Sequence, residues 1–168
     1  VGTNMSNSGL EKHLNKNDIN FIRADVGDRN IIKEMKKNDF ILGGEPSGHI
    51  ILNNMSSSGD GLLASLEVLY TLKESKKKLS SFSNLFKPFP QIIESFPINK
   101  NNAAEKILKK LKPEILKLNK SFKSDNRLIL RKSGTENKIR VMIESKDKNF
   151  AKKIMLKTRS ILKELNKW

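Results

Sequence analysis

Arg131-Lys132-Ser133-Gly134-Thr135-Glu136-Asn137-Lys138-Ile139-Arg140 lies between the apolar run Leu128-Ile129-Leu130 and the alternating residues Ile139, Val141 and Ile143. Branched apolar residues on both sides of a polar, glycine-containing stretch predict two strands, 128–131 and 139–144, joined by a tight turn. Ser133, Gly134 and Thr135 offer two hydroxyls and successive backbone N–H groups, which can form an anion-binding concavity. Arg131 and Arg140 each carry a planar fork that matches phosphate oxygens. The stretch is a candidate phosphate cradle. An ordinary hairpin on a lysine-rich surface is the alternative that this loop alone leaves open.

Outward from this hairpin, Asp147 starts a helix that places Phe150, Ile154, Ile161 and Leu165 near one face. Before the hairpin, Gln91 to Ile98 reads as a strand and Ala103 to Leu111 as a helix that Pro113 interrupts or restarts. Strand, helix, hairpin, helix is an α+β pattern with an antiparallel sheet, and it fills residues 88–168. The composition changes at Ser80-Ser81-Phe82-Ser83-Asn84, and Pro88 and Pro90 follow, which sets a domain boundary near 86–90.

Residues 1–87 read differently. A helix at Leu10–Asn17 precedes a strand at Ile19–Ala24, and Asp28 caps a helix to Lys37 with Ile31, Ile32 and Met35 on its apolar side. Strands follow at Phe40–Leu42 and Ile50–Leu52, with a polar turn at 53–58. Gly59-Asp60-Gly61 then opens a long helix, Asp60 serving as its N-cap. Leu62, Leu63, Leu66, Leu69, Tyr70 and Leu72 give that helix a broad apolar face. This alternation predicts an α/β domain with a mixed sheet.

Composition narrows the partners. The chain has 168 residues, no Cys and a formal net charge of +15. Absence of Cys removes disulfides and thiolate metal sites and fits a cytoplasmic location. No run of 18 apolar residues occurs, so no membrane partner is expected. Residues 1–88 hold 12 basic and 10 acidic side chains, whereas 89–168 hold 21 and 8. A basic second half suits an anion, either a phosphorylated small molecule or nucleic acid. Aromatics are only 6% of the chain and do not interleave with the basic residues, which argues against nucleic acid.

The second informative stretch is Gly43-Gly44-Glu45-Pro46-Ser47-Gly48-His49. Glycines on both sides allow close approach of a ligand. In an extended loop, Glu45, Ser47 and His49 point the same way and converge on one ligand. A carboxylate accepts from adjacent sugar hydroxyls, and an imidazole exchanges protons near neutral pH. A polar turn with an incidental His is the plainer reading of these residues.

Taken together, these loops resemble the α-D-phosphohexomutases. Gly-Glu-x-Ser-Gly-His, then Gly-Asp-Gly and an apolar helix, then Arg-Lys-Ser-Gly-Thr-Glu-x-x-x-Arg-Val-Met-x-Glu is that family's pattern. Met5-Ser6-Asn7-x-Gly9-Leu10-Glu11, Val26-Gly27-Asp28-Arg29 and Phe89-Pro90-Gln91 also look like it, in the same order. The nearest likeness is to the amino-sugar branch, which interconverts glucosamine 6-phosphate and glucosamine 1-phosphate for cell-wall precursors. The mannose and glucose branches are the alternatives, with a basic nucleic-acid-binding protein as the reading from another class.

The resemblance implies an isomerase of four domains that works through a phosphoserine and a bisphosphorylated sugar, with Mg²⁺ held by an Asp-rich loop of the second domain. It makes residues 1–87 the sugar-binding third domain, lacking its first strand. Residues 88–168 become the phosphate-binding fourth domain, with a TATA-binding-protein-like fold. Glu45 and Ser47 match sugar-hydroxyl contacts, and His49 matches a histidine near the reacting phosphoryl group. Arg131, Ser133, Gly134, Thr135 and Arg140 match the phosphate site. The implied partners are a phosphosugar and the N-terminal domains of the same enzyme.

Some expected parts are not in this sequence. No Ser stands in a Ser-Gly-x-Ser context, and no Asp-Gly-Asp-x-Asp-Arg metal loop occurs. The expectation is therefore a C-terminal portion that holds the sugar- and phosphate-binding half, has no metal site of its own and is inactive alone. Pro46, Asn30 and Asn137 depart from the pattern. Asn137 replaces a proline and so removes a φ constraint from the cradle.

Overall fold

The computed structural model describes residues 1–99, 104–122, 126–134 and 136–165. It divides into two compact units, Val1–Pro88 and Phe89–Trp168. Its layers are α/β in the first unit and α+β in the second, as the patterns predict.

In the first unit, β1 (Gly2–Thr3) pairs in parallel with β2 (Arg23–Ala24), and β3 (Leu42–Gly44) pairs antiparallel with β4 (Ile50–Leu52). Val1 joins the two pairs: its nitrogen donates to the Leu42 carbonyl at 2.7 Å, and Gly44 N–H donates to the Val1 carbonyl at 3.0 Å. Helices α1 (Ser8–Lys16), α2 (Asp28–Asn38) and α3 (Gly61–Ser75) complete the unit. Its core is small, made of Ala24, Ile31, Met35 and Ile51.

Two strand expectations fail for the same reason. Ile19 N–H donates to the Leu14 carbonyl and Asp18 N–H to the Asn15 carbonyl, with Asp18 at φ 55. That is a Schellman closure of α1, so Ile19 caps a helix and only Arg23–Ala24 are strand. Phe40 N–H likewise donates back to the Met35 carbonyl, and the next strand starts at Leu42. Asp28 is not a cap either. Gly27 holds the N-cap position of α2, and Asp28 is its first helical residue.

The motif around Ser6 is structural here. Asn7 caps α1 by accepting from Gly9 N–H at 2.8 Å. Arg23 donates to Glu11 at 2.7 Å and to the carbonyls of Thr3 and Ser6 at 3.1 and 2.7 Å. One guanidinium thus ties β2 to α1, to β1 and to the loop that joins β1 to α1. Asp60 caps α3 through Leu63 N–H, as the sequence predicts. The face of α3 is another matter. Ala64 is its buried residue, while Leu62, Leu66, Leu69 and Tyr70 are exposed.

In the second unit, β5 (Gln91–Pro97), β6 (Asn126–Lys132) and β7 (Lys138–Ser145) form an antiparallel sheet in the order β5-β7-β6. Helices α4 (Ala104–Ser121) and α5 (Lys148–Leu165) cover one face. Residues paired across strands share a face. Ile92, Leu128, Leu130, Ile139, Val141 and Ile143 turn toward the helices and meet Ile107, Leu111, Ala151, Met155 and Leu162. Asn119 of α4 bonds both the N–H and the carbonyl of Leu128, which fixes that helix to β6.

Pro113 does not break α4. The helix runs through it as one element, although the expected first residue, Ala103, lies outside the described residues. Pro113 and Lys109 are both exposed, so water reaches the carbonyl that lost its donor. Ile107, Leu111, Ile115 and Leu118 keep one apolar face across the proline. Asp147 caps α5 by accepting from the N–H groups of Asn149 and Phe150. No helix among the described residues is long and apolar enough to cross a membrane.

Candidate functional site

The loop between β3 and β4 is a turn rather than an extended segment. Gly48 N–H donates to the Glu45 carbonyl at 3.0 Å, and Glu45 N–H donates to the His49 carbonyl at 2.9 Å. Pro46 sits at the turn position that its fixed φ suits, and Gly48 follows at φ 98. The predicted convergence survives by this different route. Ser47 Oγ donates to Glu45 Oε2 at 3.2 Å and lies 3.0 Å from His49 Nδ1. Carboxylate, hydroxyl and imidazole form one hydrogen-bonded row, with Ser47 and His49 exposed.

The other oxygen of Glu45 has a partner that sequence reading missed. Gly27 N–H donates to Glu45 Oε1 at 2.6 Å. Gly27 opens α2 at φ 119, a conformation that side chains resist. The amide therefore comes from the positive end of a helix. The visible signal was a glycine just before an acidic helix start. Its pairing partner, 18 residues away, had no local signature.

In the second unit the hairpin is sorted by register. Arg131 on β6 lies directly across from Arg140 on β7, on the face away from the helices. Ser95 completes that row on β5. Lys132 turns to the helix face and pairs with Glu105 of α4 at 2.7 Å, so it is not a wall of the cradle. Lys138 pairs with Glu136 at 2.6 Å. That lysine's hydrogen bond and charge hold the Glu136 carboxyl below its usual range, and the charge of Arg140 adds to the effect.

Ser133 N–H donates to the Lys138 carbonyl at 2.9 Å, which closes the loop. Ser133 is 1% exposed. Its Oγ and the Nε of Arg140 are buried without a hydrogen-bond partner among the described residues. Polar atoms left in that state are costly unless a ligand completes them. Gly134 is exposed beside them, and Thr135 lies outside the described residues. Asn137 ties the turn to the end of β5. It exchanges hydrogen bonds with Ile98, through its carbonyl at 2.9 Å and its side-chain amide at 3.1 Å.

Among the described residues, no three His, Asp or Glu side chains group so as to hold a metal ion. The described residues therefore offer no ligand set that fits Mg²⁺.

The family model for phosphoglucomutase/phosphomannomutase, alpha/beta/alpha domain III, matches residues 1–89, and the model for the C-terminal domain of the same family matches residues 72–160. Phosphoglucosamine mutase of Pelagibacter ubique is 48% identical over 145 residues, which is 86% of this chain and 32% of that protein. Phosphoglucosamine mutase of Finegoldia magna is 38% identical over 167 residues, 98% of this chain and 37% of that protein. The chain thus spans about a third of the length of these relatives. Among solved structures, Aspergillus fumigatus N-acetylphosphoglucosamine mutase with GlcNAc-6P and magnesium superposes with a TM-score of 0.76 at 15% identity, covering 98% of this chain and 39% of that one. An N-acetylglucosamine-phosphate mutase in its substrate complex gives 0.71 at 18% identity, covering 98% and 38%.

Proposed function

Because the chain belongs to the phosphoglucomutase/phosphomannomutase family, we propose that it supplies the sugar- and phosphate-binding part of a phosphoglucosamine mutase. Residues 1–87 act as the sugar-binding domain and 88–168 as the phosphate-binding domain. The substrate is glucosamine 6-phosphate, converted to glucosamine 1-phosphate through a bisphosphorylated sugar. The observation that carries this reading is the convergence of Glu45, Ser47 and His49 in one row.

Glu45 and Ser47 accept and donate to adjacent sugar hydroxyls, a grip that serves the sugar in either orientation. His49 exchanges protons with the reacting end. Arg131, Arg140, Ser133, Gly134 and Thr135 hold the phosphate that is not reacting. Phosphoryl transfer depends on positioning and charge stabilisation, so the cradle contributes to rate as well as to affinity. The phosphoserine and the Mg²⁺ ligands belong to other domains of the enzyme, which are this chain's expected partners, and the work is cytoplasmic.

Calorimetric titration with glucosamine 6-phosphate tests the reading. Micromolar to millimolar binding, weakened by both Glu45→Ala and Arg140→Ala, supports it. Tighter binding of mannose or glucose phosphates moves the chain to another branch of the family. Binding of duplex DNA that falls steeply with salt and ignores Glu45→Ala overturns it in favour of nucleic acid.

A further inference from the structure

Ser47 links Glu45 and His49 through a single O–H, so the tautomer of His49 decides how both contacts are made. Ser47 has a single O–H and two neighbours, Glu45 Oε2 at 3.2 Å, which accepts, and His49 Nδ1 at 3.0 Å, which accepts only when it carries no proton. It can donate to only one at a time. We propose that the row is a tautomer relay, in which a ligand hydroxyl that occupies Glu45 moves the imidazole proton of His49 from Nδ1 to Nε2.

The two oxygens of Glu45 are unequal. Oε1 takes the Gly27 amide at 2.6 Å, from the N-cap of α2, and stays fixed. Oε2 has Ser47 as its donor among the described residues, at a longer distance and on an exposed turn. Oε2 is therefore the oxygen that changes partner. Without ligand, the carboxylate is the stronger acceptor and takes the Ser47 proton. Nδ1 must then donate to Ser47 Oγ, which leaves Nε2 as a proton acceptor.

When a sugar hydroxyl donates to Oε2, Ser47 rotates its O–H onto Nδ1. Nδ1 gives its proton to water and Nε2 takes one from water, so no proton is gained or lost overall. Nε2 now donates. His49 thus becomes a hydrogen-bond donor toward a phosphoryl or sugar oxygen only after the sugar loop is filled. Gly27 is the positioning residue that makes this order hold. The ligand half of the inference rests on the sugar-binding reading above.

Nitrogen-15 NMR of the histidine rings reads the tautomer directly. The chain has two histidines, and His13→Gln leaves the signals of His49 alone. Spectra are recorded near pH 8.5, well above the ordinary imidazole range of about 6.5. The ligand-free chain is expected to carry its proton on Nδ1. Glu45→Gln keeps an acceptor for Gly27 but offers Ser47 a donor, so it should carry the proton on Nε2 without ligand. Glu45→Ala should do the same.

Saturating glucosamine 6-phosphate should move the wild-type proton to Nε2, and Ser47→Ala should abolish that response. A ligand-free wild type already protonated on Nε2 overturns the relay. So does a Glu45→Gln chain, folded by its amide spectrum, that keeps the proton on Nδ1. If the ligand shifts no amide signal at all, the sugar-binding reading fails, and the ligand-free spectra still support or overturn the relay.

Discussion

Arg131 and Arg140 face each other across β6 and β7, two permanent positive charges in direct cross-strand register. Like charges at such positions destabilise a sheet by a few tenths of a kcal/mol or more. The arrangement costs stability in the empty protein and suits an anion. Replacing Arg140 with Met separates these effects. Arg140→Met is expected to leave the thermal midpoint of the ligand-free chain unchanged or raised. Affinity for glucosamine 6-phosphate should fall about 10- to 100-fold, the loss of one charged hydrogen-bonding partner. A variant that binds as tightly as wild type in calorimetry would remove Arg140 from the site.

Gly43 lies against α2. A Cβ there would stand 2.6 Å from Ile31 Cγ2, in the small core of the first unit. Gly43→Ala should destabilise the first unit by about 1–3 kcal/mol through overpacking. Urea unfolding measures the loss. Met35→Ala is also destabilising, but the double variant should lose less than the sum because Met35 is the other side chain in the way.

Glu144 is 0% exposed, and both of its carboxylate oxygens are held, by Arg127 at 2.9 Å and Gln91 at 2.7 Å. These residues share one row across the three strands, two rows from Arg140. Removing the acid takes away a fully buried carboxylate that both Arg127 and Gln91 contact. Glu144→Ala should cost about 3–5 kcal/mol in urea unfolding, and Glu144→Gln clearly less. Equal losses would show that charge is not what holds this row.

Pro113 interrupts the backbone hydrogen bonds of α4 without ending it. The site is exposed, so no packing constraint opposes its removal. Pro113→Ala restores the N–H that bonds the Lys109 carbonyl and should stabilise the second unit by about 1–3 kcal/mol. A rise in the urea midpoint with an unchanged slope is the expected signature. A destabilised variant would mean that α4 gains from the fixed φ of the proline more than it loses in the missing hydrogen bond.

What was legible in the sequence is what short-range chemistry decides. Asp60 and Asp147 sit before apolar periodicity, and both cap helices. The hairpin at 126–145 was visible because branched residues alternate on either side of a glycine. Ile19 and Phe40 misled because an apolar residue after a helix can belong to its cap, and only the backbone bonds to Leu14 and Met35 reveal that. Lys132 and Arg131 are neighbours in the motif yet face opposite sides of the sheet, since strand residues alternate. The anchor from Gly27 to Glu45 joins separate elements, so the glycine before the helix start was visible but its pairing with Glu45 was not.

The last expectation concerns turnover. Phosphoryl transfer needs a nucleophile that accepts the group and gives it back, and Ser8, Ser47, Ser58 and Ser133, each followed by glycine, lack the second Ser of the nucleophile motif. Ser133 is buried in a loop, and Ser47 is bonded to Glu45 and His49, so neither is presented as a free attacking hydroxyl. On the proposed function, these residues bind, orient and exchange protons, and the covalent step is expected to use groups of other domains. The isolated chain should therefore broaden the phosphorus-31 signal of glucosamine 6-phosphate without forming glucosamine 1-phosphate, even with Mg²⁺ and a hexose bisphosphate present. Product above the protein-free control would show that this chain contains its own phosphoryl acceptor. Product that persists in Ser47→Ala and Ser133→Ala would place that acceptor outside both loops.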